Sequence, residues 1–460
     1  MTPTTARSAT GFTLGNSLDY YHERIQAALG PLLENPGGTP GGFDPGLRIP
    51  APSPVLRDYF SVSDLAFSPL GDYRGKTLAL LDLTRNPATR TTKTFASLLI
   101  VARAVRFIRE TGEPVMIITP SSANKATALR DAVHRAIAHG LVTREQLSVT
   151  VVVPRASASK LWASPLYRDP ELRARNPVAV YPGPNPDGVK GLAQHVADAH
   201  GGDLKRTTGT NLWYTLDLNN YISADIIRAF AEAEFHASAE GVDRLHVHAV
   251  SSAFGLLGHA RGRQLLDESQ RKGTAAPHYL LVQHLGTPDM VLSLYRGSTD
   301  RNGVPEYSFD TGSGLYTQQS DPHFPFATFD PQETLDPTFY TRDPATSARM
   351  NGLIGSQGGG GIVVSLHECL TRYGEIRSLL KGADVELPAD PREMREWSLI
   401  MAMAGLLYAT DRGLVPEQDI LVHGSGSYSA RDYVPLPADA YHMVGDGHAL
   451  RDVLFKAVGA

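Results

Sequence analysis

The sequence is poor in cysteine and in long apolar runs. Among its 460 residues there is a single cysteine, Cys369, which excludes an internal disulfide. The longest apolar stretches, such as 399–409, fall well short of the ~20 residues that cross a bilayer, so no membrane span is expected. The first residues lack the basic-then-apolar layout of a secretory signal. Together these absences predict a cytoplasmic protein.

Positive charge is not in excess either. Lysine plus arginine number 43 against 48 aspartate plus glutamate, a formal net charge of −5, which disfavours nucleic acid as a partner. Only nine of the basic residues are lysines, so a lysine in a suggestive context stands out. At 42% hydrophobic and 20% charged residues, the composition is that of a folded globular protein. The length suffices for about two or three domains.

From residue 77 onward, short apolar runs rich in β-formers alternate with amphipathic stretches. The predicted strands are 77–83, 115–119, 147–153, 178–181, 245–250, 279–283 and 420–423. The predicted helices are 94–110, 125–139, 189–200, 223–239, 258–271, 361–380 and 394–412. This alternation predicts an α/β protein with open parallel sheets. Residues 298–350 have no period and are interpreted as a long irregular insertion. Residues 1–60, with one helix over 18–33 and then a Gly/Pro run, are interpreted as an N-terminal arm.

One candidate for chemistry is Lys93, which follows a strand and a Pro/Thr/Arg turn and begins a helix. The positive end of the helix dipole disfavours a nearby ammonium and helps to lower its pKa. A neutral amine is what Schiff-base chemistry requires. The alternative is an ordinary solvated lysine in a first turn.

Two further segments join a strand to a helix through a loop of small polar residues. In 115–133 the loop contains Ser121, Ser122 and Asn124, and in 245–266 it reads Ser-Ser-Ala-Phe-Gly. Free backbone N–H groups at a helix start bind anions, typically a phosphate, although simple N-capping is the alternative. Two such loops in one chain favour a nucleotide or a phosphorylated cofactor.

Other motifs are weaker. His246 and His248 have the spacing of a strand metal site, but on a buried strand they are better explained as packing, and no metal is predicted. The glycine run 355–361 does not have GxGxxG spacing, which argues against a nicotinamide-dependent oxidoreductase; close backbone approach is the simpler account. The run 419–429 ends a late strand in His423-Gly-Ser-Gly-Ser, either at the ligand edge of a sheet or in a polar turn. An SxxK match at 157–160 is attributed to chance.

Taken in chain order, these segments resemble the pyridoxal-phosphate (PLP) enzymes of fold type II, most of all the threonine synthase branch. NPATRTTKTFAS (86–97) is similar to the family's segment that ends in the cofactor lysine, with Lys93 in that place. PSSANKATAL (120–129) resembles the SSGNTG-like loop, and VSSAFGL (250–256) resembles the phosphate loop PTGNFGN. Asn211-Leu-Trp213 and the strand segment 278–294 are also similar. The resemblance covers roughly 77–297 and 415–430.

The resemblance implies roles for individual residues. Lys93 holds PLP as a Schiff base and shuttles protons, while Asn124 contacts the phenolic oxygen of the cofactor. The cofactor phosphate binds the phosphate loop, which comprises Ser251, Ser252, Ala253, Phe254 and Gly255. The substrate carboxylate binds Ser121, Ser122 and Thr127.

Departures from the family pattern are informative. Lys125 replaces a threonine and is expected either to bind an extra anionic group of the substrate or to point to solvent. Ser252 and Ala253 replace a glycine and an asparagine of the phosphate loop. Either His423 or Ser425 occupies the place opposite the pyridine nitrogen, where a neutral partner favours elimination or replacement at a β or γ carbon.

The implied protein is a PLP-dependent lyase or synthase of specialised amino-acid biosynthesis, with an amino-acid substrate and a homodimeric assembly. Its expected domains are an arm (1–60), a large PLP-binding domain (61–94 plus 221–460) and a small substrate-closing domain (95–220). A catalytically inactive or cofactor-free relative that serves as a binding protein is the alternative.

Overall fold

The computed structural model describes residues 5–8, 11–29, 42–268 and 276–459, so part of the N-terminal Gly/Pro run lies outside the described residues. The strands, in chain order, are β1 (Thr5–Ser8), β2 (Gly11–Leu14), β3 (Leu65–Tyr73), β4 (Lys76–Asp82), β5 (Val115–Pro120), β6 (Leu147–Pro154), β7 (Val178–Tyr181), β8 (Asn211–Tyr214), β9 (Arg244–Ala249), β10 (His278–His284), β11 (Ser308–Asp310), β12 (Leu315–Thr317), β13 (Ala327–Thr328), β14 (Gly359–Val364), β15 (Met394–Glu396), β16 (Asp419–Gly424), β17 (Tyr428–Ser429) and β18 (Tyr441–Met443).

The helices, in chain order, are α1 (Ser17–Tyr20), α2 (His22–Leu29), α3 (Pro54–Phe60), α4 (Lys93–Thr111), α5 (Asn124–Ala138), α6 (Pro165–Arg168), α7 (Pro170–Arg175), α8 (Gly188–Thr208), α9 (Leu218–Asp225), α10 (Ile227–Phe235), α11 (Phe254–Glu268), α12 (Asp289–Arg296), α13 (Ser347–Gln357), α14 (Leu366–Lys381), α15 (Ser398–Asp411) and α16 (Gly447–Ala457). A 3₁₀ turn, Arg155–Lys160, follows β6. No helix in the described ranges combines the length and the apolar character needed to traverse a bilayer.

Two sheets organise the chain. The larger has the order β1-β2-β3-β4-β16-β9-β10-β14, and its neighbours from β4 to β14 run parallel. Strands β1, β2 and β3 extend it antiparallel. The smaller sheet, β18-β7-β6-β5-β8, is parallel throughout. Every residue of β5 and β6 is buried, which explains their unbroken apolar sequence, because helices cover both faces of a parallel sheet.

The C-terminal residues depart from the expected arrangement. The sequence placed everything after residue 221 with the larger sheet, but β18 pairs with β7 of the smaller sheet. Helix α16 follows it and packs on α8, where Leu450 and Leu454 join an apolar cluster with Val189 and Val196. This burial brings the chain back to the smaller sheet at its end. The division into domains otherwise stays a prediction.

The glycine run is the second departure. A helix was predicted from residue 361, but Gly359–Val364 forms the edge strand β14, parallel to β10, and the helix α14 begins only at Leu366. Glycine is required there because a Cβ on Gly359 would lie 2.1 Å from the carbonyl oxygen of Tyr279. The run therefore serves the close backbone approach that the sequence suggested.

Candidate active site

Loops from the carboxyl ends of both sheets surround one cavity of about 430 Å³. The sequence-predicted residues in its wall are Lys93, Ser121, Ser122, Asn124, Lys125, Ser251, Ser252, Ala253, Phe254, Gly255 and Ser425. Strands β4, β9 and β16 end at the carboxyl edge of the larger sheet and β5 ends at that of the smaller sheet, and loops from both edges contribute to the wall. Thr127 and His423 are not part of the wall.

Lys93 is the first residue of α4, and the turn before it is held in place. The backbone N–H of Thr92 donates to the carbonyl of Ser425 at 2.8 Å. Among the described residues, the Lys93 amine has neither a hydrogen bond nor an ion pair; it lies 5.5 Å from the ring centre of Tyr221. Burial lowers the pKa of this amine, Asp225 partly opposes the effect, and Arg228 adds to it. The amine of Lys93 is thus free to react with a ligand, and its pKa is lowered.

Lys125 is a second buried amine in the same wall, with 6% of its surface exposed. Its Nζ lies 5.1 Å from the ring centre of Tyr221 and makes only long contacts, of 3.4 Å, to the carbonyl and hydroxyl of Thr215. Burial, with a contribution from the nearby Lys93 charge, lowers the pKa of Lys125 to about 7. The expectation that Lys125 points to solvent is therefore wrong.

The loop before α5 uses some of its polar groups internally. The hydroxyl of Ser121 accepts from the N–H groups of Ala123 and Ala126 at 3.2 and 2.8 Å. The amide of Asn124 donates to Glu396 at 2.6 Å, and its carbonyl accepts from Tyr428 at 2.9 Å. Asn124 keeps one amide N–H, and Ser122 lies in the wall of the cavity.

The predicted phosphate loop joins β9 to α11. The backbone N–H groups of Ser252, Ala253, Phe254 and Gly255 donate to no acceptor among the described residues. Ala253 adopts the left-handed φ of 51°, which turns the chain into the helix. At Gly255 a Cβ would lie 2.7 Å from Nη2 of Arg228, so a guanidinium lies directly under the loop. Free N–H groups at the positive end of a helix suit an anion.

Arg228 connects the cavity with a buried polar network. It pairs with Asp225 at 2.6 Å and donates to the hydroxyl of Thr92 at 2.9 Å and to Nδ1 of His423 at 3.1 Å. Because a guanidinium only donates, Nδ1 of His423 accepts and its proton sits on Nε2. Nε2 then donates to Nδ1 of His246 at 3.0 Å. Burial and the Arg228 charge hold the pKa of His423 well below its usual range, so His423 is neutral.

These hydrogen bonds end at His246, and beyond it lies Glu232. Its carboxylate accepts from Nε2 of His259 at 2.7 Å and from Arg244 at 2.9 Å, and Nε2 of His246 lies 3.7 Å away. Nδ1 of His259 accepts from the hydroxyl of Tyr279 at 3.0 Å. The ligand-type atoms of Glu232, His246 and His259 lie within 4.8 Å of one another, but Glu232 is already paired with Arg244, which also pairs with Asp419 at 2.8 Å. The arrangement fixes the tautomers of the histidines.

His248 differs from these histidines. It lies in the wall of the cavity, with 6% of its surface exposed, and neither ring nitrogen has a hydrogen-bond partner among the described residues. Burial, with the Arg228 and Lys93 charges, holds its pKa well below the usual range. An unpartnered neutral imidazole in a cavity wall is a site for a ligand that offers hydrogen-bonding atoms.

The predicted insertion covers this cavity. Residues 338–346 line it, and the hydroxyl of Thr346 donates to the carbonyl of Ser252 at 2.7 Å. Lys190 of α8 lies 5.4 Å from the ring centre of Tyr340, so the segment touches both the phosphate loop and the smaller sheet's helices.

A buried ion cluster connects the turn after β6 with the insertion and with β15. The amine of Lys160, in that turn, lies 2.8 Å from Asp336 and 2.9 Å from Glu396, and all three side chains are buried. Since Glu396, in β15, also binds Asn124, the cluster holds the α5 loop against β15, which pairs with β17.

Residues 13–458 match a family described as a family of unknown function (DUF6002). The chain belongs to this family. A search of curated proteins finds no match. Among solved structures, PLP-bound threonine synthase from Brucella melitensis is similar over 99% of this chain and 99% of its own, with a TM-score of 0.52 and 12% identity. Threonine synthase from yeast (TM-score 0.49, 11% identity, 87% and 84% coverage) and L-serine ammonia-lyase from the fungus Rhizomucor miehei (0.47, 13%, 77% and 90%) are also similar.

The likeness concerns the fold. The chain has the α/β architecture of the fold type II PLP enzymes, of the threonine synthase kind, and this confirms the fold predicted from the order of the motifs. The residue roles implied by the resemblance stay predictions. The sequence pattern did not single out Arg228 or Tyr221. It indicated His248 only as half of a strand metal site, and residues 338–346 only as part of the irregular insertion 298–350. Arg228 carried a weak signal, since it follows Asp225 by three residues within the predicted helix 223–239.

Proposed function

We propose that the protein is a PLP-dependent lyase or synthase that acts on an amino acid by elimination or replacement at a β or γ carbon. One observation carries the proposal: the unpaired amine of Lys93 shares a cavity with the unpaired N–H groups of the phosphate loop. These are the two groups that a phosphorylated aldehyde needs, an amine to bind its carbonyl and an anion site for its phosphate.

The residues present fit this cofactor. PLP, when bound, supplies an electron sink for negative charge at the α carbon of an amino acid. Lys93 would hold it through Nζ, and the N–H groups at the start of α11 would bind the phosphate. Asn124 would offer its remaining amide N–H to the phenolic oxygen. Because both ring nitrogens of His423 are engaged, Ser425, which lies in the wall, is the better partner for the pyridine nitrogen.

The wall also suggests how substrate is handled. Ser122 and the hydroxyl of Ser121 would bind its carboxylate, while Lys125 would bind a further anionic group. The hydroxyl of Thr127 is buried without a partner among the described residues and outside the wall, which argues against its predicted role. Lys93, when freed, would carry the proton at Nζ. The 338–346 segment, which lines the cavity, would limit the access of water to it.

The test of the cofactor is an absorption spectrum of the purified protein with PLP, followed by borohydride reduction and peptide mapping. We expect a visible band and a reduced adduct on Lys93. Lys93→Ala should lose both. The matched control is Lys125→Ala, which removes the other buried amine of the wall and should keep the adduct on Lys93. An adduct on another lysine, or no band at all, would contradict the proposal.

The test of the substrate class follows from Lys125. For an active enzyme, Lys125→Ala should raise KM for amino acids that carry a second anionic group and leave KM for neutral ones unchanged. If Lys125→Ala changes KM by the same factor for both classes of amino acid, Lys125 does not bind the second anionic group.

A cofactor-free binding protein remains the second candidate, and one observation favours it. Ser121 and Asn124, which the resemblance assigns to substrate and cofactor, already have partners within the protein. Absence of the visible band and of any adduct would support this reading.

A further inference from the structure

Arg130, in α5, is unusual among the buried arginines of the described chain. Four arginines are almost fully buried, with 1–6% exposure: Arg103, Arg130, Arg228 and Arg244. Three of them meet a carboxylate, Arg103 with Asp44 at 2.7 Å, Arg228 with Asp225 at 2.6 Å and Arg244 with Glu232 at 2.9 Å. Arg130 has no carboxylate partner among the described residues. A buried charge without a counter-charge is costly, so its retention calls for an explanation.

One nitrogen of Arg130 remains free to bind an oxyanion. Nη1 donates to the carbonyl of Asn176 at 2.6 Å. Nε is buried without an acceptor, so it is closed to a ligand as well. Among the described residues no acceptor takes a hydrogen bond from Nη2, which leaves this nitrogen to donate a charge-assisted hydrogen bond to an oxygen of a carboxylate or phosphate. Burial lowers the pKa of Arg130 to about 10, which still leaves it charged at neutral pH.

Arg130 lies in the wall of a second cavity, of about 600 Å³, bounded by α5, α7, β7, β18 and α16. This cavity shares no lining residue with the candidate active site. Asn176, Val178 and Ala457 form buried parts of its wall, and exposed charged residues surround its mouth: Arg173, Asp439, His442, Asp452 and Lys456. The volume is that of a small-molecule site and far exceeds one ordered water, at roughly 30 Å³.

We propose that this cavity binds a small organic anion, a carboxylic acid or a phosphate ester, through Nη2 of Arg130. The buried guanidinium supplies the charge and the donor, and the cavity accommodates the organic part. The proposal concerns a site separate from the candidate active site, so it holds whether or not the protein uses PLP.

The test uses the full chain, with and without added PLP, and follows the unfolding temperature in succinate and in inorganic phosphate. Chloride at equal ionic strength is the reference. At about 100 times the dissociation constant, a bound anion should raise the unfolding temperature by ~1–3 °C over chloride. Arg130→Lys, which keeps the charge but loses the Nη2 donor at the end of the longer side chain, should weaken binding about tenfold, since one charge-assisted hydrogen bond is lost.

Arg130→Met should abolish the shift, and in chloride it should unfold at or above the wild-type temperature because it removes an unpaired buried charge. The matched control is Arg206→Met, which makes the same charge change at an exposed arginine of α8 and should keep the full shift. The proposal is overturned if neither anion exceeds chloride in the wild type, or if Arg130→Met or Arg130→Lys responds as the wild type does. The PLP spectrum of the same samples reports separately on the proposed function.

Discussion

Replacing Lys125 with methionine should stabilise the protein, by an amount that depends on pH. Burial lowers the pKa of Lys125 from 10.5 to about 7 in the folded chain, while the unfolded chain keeps the ordinary value. Below pH 7 both states are protonated, and folding bears the whole cost of burying the charge. At about 1.4 kcal/mol per pH unit, the difference amounts to about 5 kcal/mol.

The direction of the pH dependence is set by the number of protons that the folded and the unfolded state bind at Lys125. Between pH 7 and 10.5 the unfolded state holds a proton on Lys125 that the folded state has lost, so wild-type stability rises with pH by about 1.4 kcal/mol per unit. Methionine fills a similar volume and does not titrate. The advantage of Lys125→Met is therefore largest below pH 7, falls by about 1.4 kcal/mol per pH unit above it, and vanishes near pH 10.5.

Urea unfolding of both proteins without PLP, at intervals from pH 6 to pH 9.5, measures this difference. Lys381→Met, at an exposed lysine of α14, is the control for loss of a lysine charge and should show no such slope. A difference between wild type and Lys125→Met that stays constant over this range would refute the reasoning, because Lys125 would then be charged in the folded protein. Added PLP should reduce the slope, since its phosphate brings a negative charge into the cavity and raises the pKa of Lys125.

Two further predictions concern stability. Lys160→Met should lower the free energy of unfolding by about 3–5 kcal/mol, because it leaves two buried carboxylates without their cation; adding Asp336→Asn and Glu396→Gln should recover part of the loss in urea unfolding, and no recovery would contradict the pairing. Gly405→Ala should cost about 1–3 kcal/mol, because the new Cβ would lie 2.6 Å from Val282 in the core. Gly374→Ala, on an exposed helix face with open space around it, should instead raise the free energy of unfolding by about 0.5–1 kcal/mol. Equal changes in the free energy of unfolding at the two positions would contradict the packing argument.

Local sequence signals predicted the parallel strands well. The apolar run 147–153 was predicted as a strand, and β6 occupies Leu147–Pro154. A strand buried on both faces needs apolar side chains at every position, so the sequence shows it directly. The same topology explains why Lys93 and Ser252 share a cavity, because the loops after β4 and β9 lie at the carboxyl edge of the larger sheet. Asn124 follows β5 of the smaller sheet, and the tertiary structure brings it to the same cavity.

Other features have no local signature. Half of the residues of β14 are glycine, which has low β propensity. Only the fold explains why larger residues are excluded: the backbone of β10 lies against Gly359, and Tyr295 and Val291 of α12 lie against Gly360 and Gly361. Residues 338–346 have no periodicity, and their place over the cavity results from contacts with Ser252 and α8.

The sequence by itself determined the alternation of strands and helices, the order of the loops and the candidate lysine, because these depend on local periodicity and on residue type. Only the tertiary structure decided which charged groups have partners. Arg130 and Arg228 look alike in sequence, yet one meets a carboxylate and the other does not. Likewise, the amine of Lys125 makes only long hydrogen bonds, of 3.4 Å, whereas both ring nitrogens of His423 have close hydrogen-bond partners. The pairing of a buried polar group depends on residues distant in the chain, and folding alone brings them into contact.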